Sequence, residues 1–205
     1  MLVPVSFWFH YTADFAYRVI HVSPLVLSSI LVDERELLES VNEARRVFGP
    51  KCMKLAGSLT VEAIRAALEQ LGIAVSARDV FIRGVPVEID LLVPRPIATP
   101  KCGLIYEPLD VLAAFEVKNA GAFPGTVEAV RKSFELIRSA NPWIYCAYVT
   151  LAERKGYKWA ATTENLGADV YTLFWHNGSI KHRIYYQTDH WDKLTEKVRV
   201  LVHSF

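Results

Sequence analysis

Two periods of hydrophobic and polar positions alternate along the chain. In "DERELLESVNEARRVFGP", Leu37, Leu38, Val41, Ala44 and Phe48 form a stripe at helical spacing. Asp33 is placed to cap this helix with Glu36 three residues on, and Gly49-Pro50 ends it. "SLTVEAIRAALEQLG" predicts a second amphipathic helix, with Val61, Ile64, Ala67, Leu68 and Leu71 inward and Gly72 as its stop. The period then shortens. "AVSARDVFIRG" and "PVEIDLLV" read as two strands joined at Gly84-Val85-Pro86, which predicts a hairpin. A polar loop with four prolines runs from Pro94 to Pro108 and leads to the strand "VLAAFEVK", residues 111–118. "GTVEAVRKSFELIRSA" predicts another helix, and "WIYCAYVTL" has the unbroken apolar and aromatic character of a central strand.

A short helical piece at Thr163–Leu166 precedes the strand "DVYTLFW", and the Asn177-Gly178 turn sets up a hairpin with "SIKHRIYYQ". "DHWDKLTEKVRVLVHSF" closes the chain as a helix with Trp191, Leu194, Val198, Leu201 and Val202 on one side. Near the start, "VPVSFWF" suits a strand, and the Ser-Pro pair of "SPLVLSSIL" suits the start of a helix. The order helix, strand, strand, strand, helix, strand predicts an α/β fold with a mixed central sheet flanked by helices. The expected organisation is a mostly helical N-terminal extension over 1–56 and a core over 57–175. A C-terminal hairpin strand and helix, 176–205, then pack on that core.

Composition narrows the class. At 205 residues, 52% hydrophobic and 22% charged, the chain suits one domain with a well-developed core. The net charge of +1 gives no support to non-specific nucleic-acid binding, though it leaves room for a local basic groove. Cys52, Cys102 and Cys146 have no paired spacing, so reduced thiols in a cytoplasmic protein are expected rather than a zinc site or disulfides. His10, Asp14, Arg18 and His21 interrupt the apolar N-terminus, which argues against a signal peptide or membrane span. Only two glutamines occur, which points to a thermophilic source.

The chemistry concentrates on two strands. Glu116 and Lys118 are two apart, so they share one face at the end of an otherwise apolar strand. Burying both is costly unless they are paired or bind something. Asp90 is a similar acid among branched apolar residues, and neighbouring strands would bring Asp90, Glu116 and Lys118 to one spot. Two close carboxylates raise each other's pKa, and a divalent cation removes that penalty; hard oxygen ligands suit Mg2+ or Mn2+. A lysine beside the cation is then free to orient a water or stabilise a developing charge. Glu62, one turn into the preceding helix, can aim at the same cluster and help hold a second metal, with Glu69 as the alternative two turns later.

The run Glu62…Asp90…Glu116-Val117-Lys118, in the order helix, hairpin, strand, resembles the PD-(D/E)xK nuclease superfamily. That group has the restriction-endonuclease-like fold with an αβββαβ core, and includes type II restriction enzymes and archaeal Holliday-junction resolvases. The resemblance covers about residues 57–175. It implies that Asp90 and Glu116 are metal ligands aided by the Val117 carbonyl, that Lys118 positions the attacking water, and that Glu62 is the accessory acid. Ile89 stands in place of the motif's nominal proline, and a long loop fills the gap from Asp90 to Glu116. The second helix lacks the glutamine–tyrosine signature of the exonuclease branch; Arg131, Lys132 and Arg138 are there instead and suit phosphate contacts.

The expectation is therefore a Mg2+- or Mn2+-dependent nuclease acting on DNA, of endonuclease or junction-resolvase type, with a homodimer as the candidate assembly. The alternative is a catalytically inactive member of the fold serving as a nucleic-acid-binding or assembly module. Asp110 lies six residues before Glu116, too far along the strand to share a metal. Glu88 shares a face with Asp90 and either flanks the site or is simply exposed. Asn119 either touches substrate or serves a turn. The six histidines show no ligand spacing, although His176 and His182 are placed to face each other across the Asn-Gly hairpin. "ERKGYKW", Glu153 to Trp159, reads as a solvated loop or a nucleic-acid contact.

Overall fold

The computed structural model describes residues 34–48, 53–119, 124–157, 160–177 and 184–204. The elements expected at 3–9 and from Ser23, and the turn residue Gly178, lie outside them. Helix α1 (Glu34–Phe48) packs on α2 (Met53–Gln70), and Leu38 and Val41 of the first join Val61, Ile64 and Leu68 of the second in one core. The inward face of α2 turns through Ala63 and Ala66 rather than Ala67, and Leu71 is 44% exposed, contrary to its place in the expected stripe. Leu71 sits past the last helical turn, where the chain changes direction. Gly72 makes that change at φ 76°, which an L side chain tolerates poorly. There Ile73 N–H donates to the Leu68 carbonyl at 3.1 Å and Gly72 N–H to that of Glu69 at 2.9 Å, closing the helix in a Schellman motif.

The expected hairpin between 74–84 and 86–93 shrinks to one antiparallel bridge, Val80 with Ile89. Asp79 at φ 58° bends the chain before Val80, and Pro86, with no N–H, cannot extend the ladder. Strand β1 (Phe81–Ile82) pairs in parallel with β3 (Ile105–Tyr106), which lies inside the stretch expected as a plain polar loop. Strand β2 (Leu91–Pro94) starts later than the sequence pattern implies, leaving Asp90 just before it rather than within it.

The main sheet has the order β2, β4 (Val111–Lys118), β5 (Tyr145–Arg154), β6 (Asp169–Asn177), β7 (Ile184–Gln187). The inner pairs are parallel; β2 runs antiparallel to β4, and β7 antiparallel to β6. Helix α3 (Pro124–Ala140) links β4 to β5. The short α4 (Thr163–Leu166) links β5 to β6, and α5 (His190–His203) follows β7. β5 starts later than the pattern implies: Trp143 is 84% exposed. The mixed, helix-flanked sheet is the architecture expected from the element order.

Alternation along the strands builds a core on each face. Ala113, Phe115 and Val117 of β4 join Ala147, Val149 and Leu151 of β5 against α1, α2 and α5. Ala114, Cys146 and Tyr148 face Val130, Phe134 and Ile137 of α3 and Leu166 of α4. Glu116 and Lys118 follow the parity of Ala114, so they open on the α3 face at the carboxyl end of β4. Phe115, wholly buried beside them, anchors the opposite face. Phe115→Ala is expected to lower the unfolding free energy by roughly 3–5 kcal/mol in urea denaturation; a loss below about 1 kcal/mol would show that β4 is not central to the core.

Candidate active site

Asp90 is fixed from both sides. Ile89 N–H donates to the Val80 carbonyl at 2.9 Å, and Val80 N–H returns the bond at 3.0 Å. A proline at position 89 could not make the first bond, which gives Ile89 a physical reason to stand there. On the other side Leu91 pairs with Phe115, so the next step outward sets Asp90 beside Glu116. The Asp90 carboxylate Oδ2 then accepts the Val117 backbone N–H at 2.7 Å. Two adjacent strand ends thereby deliver both acids to one point.

Lys118 closes the group. Its ammonium lies 3.4 Å from Asp90 Oδ2 and also forms a shorter ion pair with Glu116 Oε1. One ammonium contacts both carboxylates, so their oxygens lie close to the roughly 4–5 Å that a single ion with ligands at about 2.1–2.5 Å spans. Burial pushes the Glu116 carboxyl above the usual range; repulsion from Asp90 adds to this, Lys118 opposes it, and Glu88 raises it slightly. Burial pulls the Lys118 ammonium down, but Glu116 and Asp90 more than offset that, leaving it raised. The arrangement stores charge repulsion that a cation of higher charge would relieve.

Strand β5 lies alongside. Tyr148 is the register partner of Glu116, and Thr150 that of Lys118. Burial, with Glu153, Glu116 and Asp90 nearby, drives the Tyr148 phenol upward, so it stays protonated and able to donate. In the sequence, Tyr148 and Thr150 sit inside the apolar run "WIYCAYVTL". The signal that could have found them is parity, since they fall two apart in step with Glu116 and Lys118.

The remaining candidates are placed elsewhere or differently. Glu62 accepts from Arg65 Nε at 2.9 Å, and Arg65 also reaches Glu69 at 2.6 Å, so one guanidinium engages both alternative acids on α2. Among the described residues no three His, Cys, Asp or Glu side chains gather where they could hold a metal, and Glu62 is therefore not brought to Asp90 and Glu116. Arg131 is paired with Glu128 and Glu135 on its own helix, and Lys132 with Glu128. Asn119 is buried directly after Lys118. Glu88 is exposed and close enough to act on Glu116, which makes it a flank of the site. His176 pairs with Tyr185 across β6 and β7 and packs against its ring, while His182 lies outside the described residues. Glu153, expected in a solvated loop, is buried at the end of β5. Cys102 and Cys146 are free thiols, and burial pushes Cys146 up to about 11, leaving it inert at neutral pH. No helix among the described residues is long and apolar enough to cross a membrane.

No family model matches the sequence, and no curated protein matches it. Among solved structures, the chain is similar to NucC of P. aeruginosa ATCC27853 in its cAAA-bound form, with TM-score 0.55 and 13% identity, over 89% of this chain and 92% of that one. NucC of E. coli MS115-1, also cAAA-bound, gives TM-score 0.57 at 13% identity, over 89% of this chain and 91% of that one. At such identity the likeness is one of fold. It agrees with the helix-flanked mixed sheet.

Proposed function

We propose that this chain is a metal-dependent nuclease that hydrolyses DNA phosphodiesters, of endonuclease or junction-resolvase type. One observation carries the reading: Asp90, Glu116 and Lys118 converge at the ends of β2 and β4, with a single ammonium contacting both carboxylates. Two carboxylates at one point match the one or two that Mg2+ or Mn2+ takes from a protein. When bound, such a cation lowers the pKa of a water and polarises the phosphoryl oxygen. Asp90, steadied by the Val117 N–H, and Glu116 would hold it, with the Val117 carbonyl as a further oxygen donor. Lys118, displaced from the carboxylates, would orient the attacking water and offset charge developing on the phosphate. Glu62 stays outside this reading because Arg65 already neutralises it. Arg131 and Lys132 would have to exchange Glu128 and Glu135 for phosphates, so the reading does not rest on them. A homodimer, offering two such sites to one duplex, belongs to the same proposal.

Incubation with supercoiled plasmid, branched DNA and single strands, each with Mg2+ or Mn2+, tests the reading. Cleavage that stops on chelation is expected, and preference among the three substrates identifies the type. DNA binding without cleavage under either cation would instead make the chain a nuclease-fold binding module.

Acid should weaken cation binding earlier than an ordinary carboxylate would allow. Because the folded Glu116 pKa is raised, Mn2+ affinity should fall as pH drops through a window above the ordinary glutamate value of about 4.3. The same shift means that, without metal, this group's stabilising contribution is full below the unfolded value and is lost as pH rises through the folded one. Mn2+ titrations and thermal midpoints across pH check both halves. Affinity unchanged down to the ordinary glutamate value would contradict the burial of Glu116.

A further inference from the structure

We infer that the Tyr148 and Thr150 hydroxyls are positioning groups for Glu116 and Lys118 once a cation occupies the site; the inference rests on the reading above. Both side chains are buried, at 0% and 1% exposure, and neither hydroxyl oxygen has a hydrogen-bond partner among the described residues. Parallel pairing sets Tyr148 directly beside Glu116 and Thr150 directly beside Lys118, on the face of the sheet that carries the site. A buried hydroxyl without a partner is costly, and a Phe or Val of the same shape would remove the cost. Among the described residues the hydroxyls therefore serve no structural contact in the metal-free arrangement, where Lys118 is committed to the two carboxylates.

Occupation by a cation changes what the neighbours need. Asp90 and Glu116 would hold the ion, and the Lys118 ammonium would then need another acceptor. Thr150 Oγ1, on the paired residue, is an acceptor within the same cross-strand neighbourhood. The Tyr148 O–H is a donor beside Glu116, able to orient a ligating carboxylate as outer-sphere partners of metal ligands do. Neither hydroxyl touches the reacting atoms, so both act through other residues.

The test is calorimetric titration of the full chain with Mn2+, beside thermal unfolding of the metal-free protein. Tyr148→Phe and Thr150→Val are expected to bind Mn2+ about tenfold or more weakly. Their metal-free midpoints should equal or exceed that of wild type, because each loses an unpartnered polar atom. Thr150→Ser should restore wild-type affinity. Variants that bind Mn2+ as wild type does, in a protein whose binding is lost in Asp90→Asn, overturn this inference alone. Lowered metal-free midpoints overturn it too, since the hydroxyls would then be structural. A wild-type protein that binds no Mn2+ removes both the inference and the nuclease reading.

Discussion

Lys118→Met is expected to bind Mn2+ about tenfold more tightly than wild type while cleaving DNA roughly a hundred- to a thousandfold more slowly. In the metal-free protein the ammonium occupies the space between the two carboxylates, so any cation must displace it. Removing it would delete the competitor and the proposed catalytic charge together. The metal-free variant should lose on the order of 1–2 kcal/mol of stability, because two carboxylates are left facing each other without a counter-charge. That is less than the roughly 3–5 kcal/mol of a fully buried broken pair, since the Lys118 side chain is 35% exposed and solvent screens the remainder. Saturating Mn2+ should recover the loss. Calorimetry, cleavage rates and thermal midpoints with and without Mn2+ separate the three effects. Weaker Mn2+ binding in Lys118→Met would mean that the ammonium assists the cation rather than standing in for it.

Asp90→Asn should lose the Mn2+ site and about a thousandfold of the cleavage rate, corresponding to about 4 kcal/mol of transition-state stabilisation. Asn is chosen over Ala for a structural reason. Its amide oxygen can still accept the Val117 N–H that Asp90 Oδ2 accepts at 2.7 Å, so the backbone of β4 keeps its partner. Lys118 keeps Glu116, and the repulsion between two acids is gone. The metal-free midpoint should therefore stay within about 1 kcal/mol of wild type. Loss of cleavage at preserved stability locates the effect in chemistry. Preserved cleavage would remove Asp90 from the site.

Much of this was legible in the residues because strand parity is a strict rule. Glu116 and Lys118 two apart on an apolar strand had to share a face, and the matching pattern around Asp90 made a neighbouring strand the natural partner. The helix α2 was legible from Val61, Ile64 and Leu68, and its end from Gly72. The first hairpin was not. A period-two pattern does not reveal that Asp79 adopts a left-handed conformation or that a parallel partner, Ile105–Tyr106, waits beyond a proline-rich stretch. Glu62 shows another limit. Helical position alone allowed it to point at the site, but Arg65 and Glu69, one and two turns further along the helix, supply a nearer ion-pair network. The same local competition engages Arg131 and Lys132. Tyr148 and Thr150 were hidden for the opposite reason. Their hydroxyls are minor parts of side chains that otherwise fit a buried strand, and only the cross-strand register assigns them neighbours.

The central claim is that Asp90, Glu116 and Lys118 form a cation-dependent centre for phosphodiester cleavage. Its most direct test is the rate at which wild-type protein nicks supercoiled plasmid as Mn2+ is titrated. The account predicts a rate that rises and saturates with occupancy of the Mn2+ site seen by calorimetry, and that falls to background on chelation. No cleavage at a Mn2+ concentration that fills the site, or cleavage that survives chelation, would contradict it.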